Sequence, residues 1–285
     1  MPQPTNTLSV GRAPERARAA KADAGIMGSM DNVRHVDLPG LRRSCAQCSL
    51  QQLCLAGGMN LDDLARLDDI VRQRRPLSAG APLFRMGDSL GSVFVARDGA
   101  VKTVTFGENG DEQIVSFHLP GELIGLDALA DGKHRCDAIA LTATSLCEIP
   151  FTQLGEVAAK IPGLQQQLLR VIGMSVGRDQ DHKEILVRRQ ANERIALFLH
   201  GLAERYKAIG RDSERLTLPM SRIDVANYLG LALETVSRGF TRLQDDGLIH
   251  VQGRQVALLQ PEALDRLAHG LDEAPKLAHW SAGGG

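Results

Sequence analysis

Three closely spaced cysteines and one distant cysteine could together bind a soft metal. Cys45, Cys48 and Cys54 follow the pattern Cys-x2-Cys-x5-Cys, and Cys147 comes much later in the chain. Thiolates are the ligands of iron–sulfur clusters and of many zinc sites. Structural zinc sites usually have two close pairs of ligands, and only one close pair is present here. The spacing favours an iron–sulfur site, with zinc or unrelated buried thiols as the alternatives.

A second set of residues, near the C-terminus, has the pattern of a helix-turn-helix. Ser221 is predicted to cap a helix over 222–229, and Gly230 permits a tight turn into a second helix over 232–244. Apolar residues recur at helical spacing in both segments, and we expect them to face inward: Ile223, Ala226, Leu229, Val236, Phe240 and Leu243.

The outward face of the second helix carries side chains that can contact the edges of DNA bases. Arginine binds guanine, glutamate accepts from cytosine, and hydroxyl groups bind several bases. The residues concerned are Glu234, Thr235, Ser237, Arg238 and Arg242. Glu234 and Arg238 could instead form a simple surface ion pair one helical turn apart. A strand at 247–250 and a second at 256–259 follow as a predicted wing, which favours DNA binding over that alternative.

Composition limits the other functions that this chain could have. The chain has 285 residues, 43% of them hydrophobic, which is enough for two ordinary cores. The net charge is −1, so a surface that binds DNA has to be local. Runs without charge are far shorter than the about 20 apolar residues of a membrane helix, so no membrane partner is expected. No apolar block marks an export signal, and the cysteines number five, which favours reduced thiols in the cytoplasm.

The middle of the chain changes from strand-like to helical texture. Short β-prone runs between 83 and 149 are separated by turn signals, and they predict an antiparallel roll. Asn109-Gly110 predicts a hairpin with a type I′ turn, because both residue types accept a positive φ. After Pro162-Gly163 a long helix is predicted, with spacings of three and four along one face. That face favours dimerisation over packing within the chain, and its residues are Leu169, Ile172, Val176, Asp179, Lys183 and Leu186.

These residues resemble the Crp/Fnr superfamily of bacterial transcription regulators, and most closely its fumarate and nitrate reduction regulator branch. The resemblance runs from about Cys45 to about Leu267. It is carried by the segments Gly-Asp-Glu-Gln-Ile (110–114), Cys-Glu-Ile-Pro-Phe (147–151), Asp-Gln-Asp (179–181) and Asn-Tyr-Leu-Gly-Leu-x-x-Glu-Thr-Val-Ser-Arg (227–238).

The resemblance implies specific roles for the cysteines and the residues near them. Cys45, Cys48, Cys54 and Cys147 match the positions that hold an oxygen-labile [4Fe–4S] cluster. Ser49 and Leu53 match neighbours that adjust the access of oxygen to the cluster. Cys136 has no counterpart in that pattern and is interpreted as a spare thiol.

The resemblance also implies how DNA is bound. Glu234, Ser237 and Arg238 match the positions that recognise a TTGAT half-site, used as an inverted repeat by a homodimer. Asp179 matches a carboxylate whose charge repulsion opposes dimerisation once the cluster is lost. RNA polymerase is the expected protein partner. Ala232 stands where relatives often have a capping threonine, which affects stability more than specificity.

The chain departs from cyclic-nucleotide-binding relatives in the roll. Such relatives hold ribose and phosphate with a glutamate and an Arg-Ser pair, and here Leu126 replaces the glutamate and Cys136 the serine. Only Arg135 remains to meet a phosphate, and a buried phosphodiester needs several donors. No cyclic nucleotide is therefore expected.

The sequence thus predicts an α+β protein: an antiparallel β-roll like that of cyclic-nucleotide-binding domains, a long dimerisation helix and a winged helix-turn-helix. The predicted function is that of an oxygen-responsive regulator of anaerobic-metabolism genes, with no catalytic residues. A cluster enzyme, an electron carrier, a zinc protein and a cyclic-nucleotide-responsive regulator are the alternatives. The expected order is a disordered arm (1–40), a cluster-binding loop (41–60), the roll (61–160), the dimerisation helix (163–190), the winged helix-turn-helix (191–270) and a flexible tail (271–285).

Overall fold

The computed structural model describes residues 45–188 and 190–271. The predicted arm over 1–40 lies outside these residues, as does the predicted tail except for Leu271. Within the described ranges, strands and helices follow the predicted order of roll, long helix and winged helix-turn-helix, which confirms the predicted fold class.

The roll consists of two four-stranded antiparallel sheets. Its first helix, α1, spans Leu61–Ile70, and its last, α2, spans Phe151–Ala158. One sheet has the order β1-β8-β3-β6 and the other the order β2-β7-β4-β5. The strands are β1 (Arg72–Gln73), β2 (Pro82–Phe84), β3 (Ser92–Asp98), β4 (Val101–Phe106), β5 (Glu112–His118), β6 (Leu123–Ile124), β7 (Asp137–Ala140) and β8 (Ser145–Pro150).

The hairpin between β4 and β5 forms as predicted, but its turn does not. The strands are separated by residues 107–111, a longer loop than the two-residue type I′ turn that Asn109-Gly110 predicts. Gly110 does have a positive φ of 80°. The loop closes through hydrogen bonds from Gly107 N to Asp111 O and from Gly110 N to Gly107 O, both 2.9 Å. Asn109 and Gly110 are therefore the third and fourth residues of a longer loop, not the two residues of a tight turn.

The long helix α3 spans Pro162–Val187 and is followed by α4, Ala191–Ala208. Pro162 begins α3 because proline fits the first turn of a helix, where its missing N–H costs nothing. One face of α3 packs inward through Leu164, Val171 and Ile185.

The C-terminal part has a helix-turn-helix and a three-stranded wing. Helices α5 (Arg222–Leu229) and α6 (Leu233–Asp245) are joined by a short turn. The wing has the order β10-β11-β9 and is followed by a last helix. Its elements are β9 (Arg215–Thr217), β10 (Ile249–Gln252), β11 (Gln255–Leu258) and α7 (Pro261–Ala268).

Candidate metal centre and nucleic-acid interface

The four cysteines of the predicted metal site line one cavity of about 120 Å³. Cys45, Cys48 and Cys54 approach it from the N-terminal loop, and Cys147 approaches from the roll. Each is half-buried and has a free thiol. One water molecule occupies roughly 30 Å³ in the liquid, so the cavity has room for a group larger than a single ion. Within residues 45–188 and 190–271, no three His, Cys, Asp or Glu side chains stand close enough together to share one metal ion.

Local backbone structure sets the positions of these thiols. Cys45 begins a 3-10 turn, and the N–H groups of Cys48 and Cys54 donate to the carbonyls of Cys45 and Leu50, both at 3.2 Å. The backbone N–H of Cys45 also donates to Asp68 Oδ1 of α1 at 3.0 Å, which fixes the loop to that helix. Cys147 lies in β8 between two neighbours, opposite Gln73 of β1 and Val95 of β3. The loop that contains Cys45, Cys48 and Cys54 thus lies opposite Cys147 of strand β8 across the cavity.

Burial in the cavity favours the protonated form of three of the thiols, those of Cys45, Cys54 and Cys147. Burial raises the pKa of Cys45, and a hydrogen bond with Asp68 raises it further. Burial raises the pKa of Cys54 to about 11, with Cys48 and Cys147 adding to the effect. Burial also raises the pKa of Cys147, against the positive charge of Arg97. A metal that bound here would displace protons and supply the positive charge that thiolates need.

The cysteine loop also contacts the long helix α3 directly. The buried side chain of Gln167 donates from Nε2 to the carbonyl of Cys54 at 2.9 Å. Arg170 Nη1 donates to the carbonyl of Gln52 at 3.3 Å. Gly57 makes this approach possible, since a Cβ there would lie 2.6 Å from Gln167 Nε2. The position of the loop and the position of α3 are therefore linked.

The two residues expected near the cluster lie outside the cavity. Ser49 is exposed and does not line it. Leu53 faces a different cavity, of about 210 Å³, which it shares with the loop at Gly121 and with α3. Asp68 and Arg97 line the cysteine cavity instead. Their charges could have been noticed in the sequence, but no spacing rule links them to the cysteines.

The side chains predicted to contact DNA lie on one face of α6. Glu234, Ser237 and Arg238 are exposed, Thr235 is half-buried, and Arg242 follows one turn later, also exposed. No ion pair within 4.0 Å joins Glu234 to Arg238 in the part of the chain that is described, so the alternative of a simple surface pair is not formed. Arg242 lies 3.8 Å from Asp246 in an exposed pair. Exposed donors and acceptors near the start of such a helix can reach the floor of the major groove.

The turn before α6 forms for the reasons that the sequence predicts. Ser221 caps α5 in a capping box with Asp224, and Gly230 has a φ of 61°. Ala226 and Leu229 are buried as expected. The expectation for Ile223 is wrong, because that side chain is 67% exposed.

Two buried residues of α5 and a glycine of α6 were not anticipated. Val225 and Tyr228 take inward positions on α5, so its buried face is rotated from the predicted one. In α6 a Cβ at Gly239 would lie 2.3 Å from Ile195 Cδ1, so glycine permits the close packing of α6 on α4. Isolated glycines in helices are a weak signal in a sequence.

The face of α3 that is predicted to form a dimer is largely exposed in the single chain. Leu169 is 65% exposed, Val176 50% and Leu186 39%. Ile172 is half-buried, and Asp179 and Lys183 are exposed. Apolar side chains left in water along one helix face favour contact with a partner.

The roll encloses a further cavity of about 500 Å³, bounded by β4, β5 and α3. Leu126, Arg135 and Cys136 line it. The carboxylate of Asp127 accepts from the backbone N–H of Arg135 at 2.7 Å and from the thiol of Cys136 at 3.3 Å. The guanidinium of Arg135 donates to Asp131 at 2.9 Å. Arg135 and Cys136 are thus already bound to carboxylates of the chain.

Comparison with known proteins agrees with this architecture. Residues 193–267 match the Crp-like helix-turn-helix domain, and residues 74–160 match the cyclic nucleotide-binding domain. The chain is 46% identical over 226 residues to the transcriptional activator protein Anr of Pseudomonas protegens, which covers 79% of this chain and 93% of that protein. It is 38% identical over 236 residues to the fumarate and nitrate reduction regulatory protein of Escherichia coli, covering 83% and 94% of the two chains.

A solved structure shows the same fold. FixK2 from Bradyrhizobium japonicum is similar with a TM-score of 0.62 at 30% identity, over 72% of this chain and 98% of that one. None of the helices within residues 45–188 and 190–271 is both long and apolar enough to cross a membrane. High identity over most of both chains, joined to a roll, a long helix and a winged helix-turn-helix, establishes that this chain belongs to the Crp/Fnr family. It is a DNA-binding transcription regulator of the Anr and fumarate and nitrate reduction branch and not an enzyme.

Proposed function

We propose that this regulator responds to oxygen through a [4Fe–4S] cluster held by Cys45, Cys48, Cys54 and Cys147. One observation carries the proposal: all four thiols line a single cavity that is too large for one ion. Four thiolates suit the four irons of such a cluster, and the largely apolar walls suit a buried inorganic group. When bound, the cluster supplies a redox centre that oxygen degrades. The cytoplasm is the compartment that we propose, because it keeps thiols reduced.

The contacts of the cysteine loop suggest how its state reaches the rest of the chain. With the loop in the described position, Gln167 and Arg170 of α3 bind its carbonyls. A rearranged loop would leave the buried amide of Gln167 without its acceptor, at a cost of about 1–3 kcal/mol. The two arrangements of the loop therefore favour different positions of α3.

The uncovered face of α3 supports the second part of the proposal, a homodimer. Leu169, Ile172, Val176 and Leu186 would pack against the same residues of a second copy, as a two-fold axis requires. Asp179 would face its own counterpart across that axis, so like charges would oppose pairing. We propose that the cysteine loop with its cluster positions α3 well enough to overcome this repulsion at low oxygen.

A dimer of this kind would bind an inverted repeat of TTGAT-type half-sites. Glu234, Ser237 and Arg238 would contact base edges in the major groove, and Thr235 and Arg242 would contact the same site at its margin. RNA polymerase is the partner that we propose for activation of transcription. At some sites the bound dimer would instead repress the gene. We also infer that no cyclic nucleotide acts on the roll, because its own carboxylates bind Arg135 and Cys136.

The first prediction tests the cluster with two cysteine variants of the same chain. Protein purified without oxygen should contain iron and acid-labile sulfide and absorb broadly in the visible range, and exposure to air should bleach this absorption. Cys147→Ser should remove iron and sulfide, because Cys147 supplies the thiol on the roll side of the cavity. Cys136→Ser is the matched control and should keep both, since Cys136 binds Asp127 away from that cavity.

The same preparations distinguish the alternatives. Oxygen-free protein that contains zinc and no iron would overturn the cluster assignment. Loss of iron in Cys136→Ser together with its retention in Cys147→Ser would show that the fourth ligand is misassigned. DNA binding that is equal before and after air would refute the oxygen response itself.

A further inference from the structure

Helix α5 makes a contact with the roll that no part of the proposed oxygen response uses. We infer that Asn227 is a positioning residue that fixes the helix-turn-helix on the roll and thereby sets the spacing of the half-sites that a dimer accepts. The inference rests on the proposed dimer, but it concerns which operators are bound rather than what is sensed. The contact of α5 with β4 and β5 is called the α5–β5 contact below.

The side chain of Asn227 pairs with the backbone of β5 as a neighbouring strand would. Its Nδ2 donates to the carbonyl of Glu112 at 2.6 Å, and its Oδ1 accepts from the N–H of Ile114 at 2.6 Å. Gln113 Nε2 donates in return to the carbonyl of Asn227 at 3.0 Å. β5 is the outer strand of its sheet, so these backbone groups are unpaired on that side. One amide group therefore satisfies both a donor and an acceptor of the sheet edge.

An ion-pair network fixes the beginning of α5 to the same hairpin. Lys102 Nζ of β4 lies 3.0 Å from Asp224 Oδ1 of α5 and 2.5 Å from Glu112 Oε1 of β5. The side chains of Lys102 and Asp224 are only 14% and 17% exposed, so solvent screens this pair weakly. Asp224 also completes the capping box with Ser221. The carboxylate that caps α5 is thus the one that binds the roll.

The end of α5 is held by the long helix and by α4. The ring of His182 stacks on that of Tyr228 with centroids 3.8 Å apart, and His182 Nε2 lies 2.8 Å from the Tyr228 carbonyl. Phe117 of β5 packs against the same ring at 4.8 Å. Arg194 Nη1 donates to the carbonyl of Leu229 at 3.0 Å. α5 is therefore bound at both ends, to the roll and to the helix that would form the dimer.

The orientation of α6 follows from that of α5. Ala226 and Leu229 of α5 share one buried core with Val236 and Phe240 of α6, and the tight turn at Gly230 joins the two helices. A shift of α5 would therefore change the position of α6. In a dimer formed along α3, the separation of the two α6 helices equals the separation of half-sites that both can contact. Asn227 lies away from the base-contacting face, so its effect would be on spacing and not on the bases recognised.

The test compares binding to operators that differ only in spacer length. Oxygen-free protein loaded with its cluster is titrated onto inverted TTGAT repeats whose spacers differ in length by single base pairs. The spacer that the unsubstituted protein binds most tightly is called the preferred spacer. Asn227→Ala should bind the preferred spacer about tenfold more weakly, because it loses hydrogen bonds worth about 1.4 kcal/mol in total. Its affinity for the other spacers should stay unchanged, so the ratio of affinities between the preferred spacer and the others should fall about tenfold. Asn109→Ala, at the exposed end of the hairpin, is the matched control and should keep the preference.

A second variant protects the test against misfolding. Lys102→Met removes both ion pairs at the other end of the α5–β5 contact, and it should also lower the ratio of affinities between the preferred spacer and the others. Iron content and helical circular dichroism confirm that each variant is folded and loaded.

Three outcomes would overturn the inference. If both variants fold and keep the spacing preference of the unsubstituted protein, the contact does not set spacing. If metal-free Asn227→Ala gains operator binding, the contact restrains the DNA-binding domain instead. If the unsubstituted protein itself binds no inverted repeat, the proposed dimer fails and the inference falls with it, which separates that failure from the first two.

Discussion

At the scale of single residues, exposure on α6 decides which side chains can contact DNA. Arg238 is exposed, points away from the core residues Val236 and Phe240, and forms no ion pair within 4.0 Å to another described residue. A guanidinium without a fixed partner pays no cost of breaking an internal bond when it binds guanine. Its planar fork can donate two parallel hydrogen bonds to that base.

We predict that Arg238→Ala weakens binding to the inverted repeat by about 1–3 kcal/mol per half-site, as the loss of a bidentate base contact does. Discrimination against a changed guanine in the half-site should fall with it. Arg66→Ala is the control, since Arg66 is a 63% exposed arginine of α1 far along the chain from the helix-turn-helix. An unchanged affinity in titrations at fixed salt would show that Arg238 contacts no base.

Sequence patterns located these residues because helical spacing places them on one face. The pattern failed for Ile223, which is exposed, because Val225 and Tyr228 supply the buried face of α5 instead. Tyr228 is buried between Phe117 and His182, and both partners come from distant parts of the chain. Local spacing contains no information about such partners. The contacts of Asn227 were missed for the same reason.

At the scale of elements, one buried carboxylate joins three of them. Glu122 lies between β5 and β6, accepts two hydrogen bonds from Arg205 of α4 at 2.8 and 2.9 Å, and lies 4.0 Å from Arg178 of α3. The side chains of these residues are 12%, 22% and 16% exposed. Burial opposes ionisation of Glu122, but the two guanidinium groups outweigh it and lower its pKa. The network connects the roll to both helices that follow it.

We predict that Glu122→Gln lowers the free energy of unfolding by about 3–5 kcal/mol, because it leaves two buried cations without their counter-charge. Glu204→Gln is the control, because the side chains of Glu204 and of its partner Lys207 are 59% and 69% exposed. Its free energy of unfolding should fall by less than about 1 kcal/mol. Urea unfolding of metal-free protein measures both.

The lowered pKa of Glu122 also fixes how this difference depends on pH. The ionised Glu122 contributes fully to the free energy of unfolding above the ordinary carboxyl pKa of 4.5. This contribution is lost as the pH falls through the lower pKa that Glu122 has in the folded state. The difference in the free energy of unfolding between the unsubstituted protein and Glu122→Gln should therefore become smaller as the pH is lowered. A difference that is small at neutral pH, or that widens in acid, would contradict a stabilising role for the network.

The order of the strands and helices was predictable from the sequence, but the contacts between them were not. Turn signals and periodicity predicted the strands of the roll and the long helix, since both are local properties. The two-residue strands β1 and β6 are too short to show a pattern, and they form through pairing with β8 and β3. Gln167 looks like an ordinary surface residue in the sequence, and only the position of the cysteine loop explains its burial.

At the scale of the whole molecule, one apolar core runs through the roll and the DNA-binding part. It includes Ile114 and Phe117 of β5 together with Phe198 of α4 and Leu229 of α5. A second core lies under the cysteine loop and includes Leu55, Leu67 and residues of α2 and α3. α3 contacts the cysteine loop through Gln167 and α5 through His182. The proposed dimerisation depends on this helix, so the proposal requires a change in the loop to reach the DNA-binding part through it.

We predict that Asp179→Ala allows the metal-free protein to dimerise. In the proposed dimer two such carboxylates oppose each other, and like charges at close range cost roughly 1–4 kcal/mol in surface environments. Asp181→Ala is the control, since Asp181 lies on the same helix but faces the cavity with Arg178 and Arg205. Sedimentation of metal-free protein should show dimers for Asp179→Ala alone. Equal association of both variants would mean that Asp179 does not face its counterpart.

Gly239 has a consequence for the redesign of operator preference. Its missing side chain lets α6 approach Ile195 more closely than any other residue would allow. The bases contacted can be changed by exchanging the exposed residues of α6, but a helix transplanted from another regulator has to keep glycine at this point. A transplanted helix with a larger residue at this position would tilt away from α4. Its exposed side chains would then face the wrong base pairs.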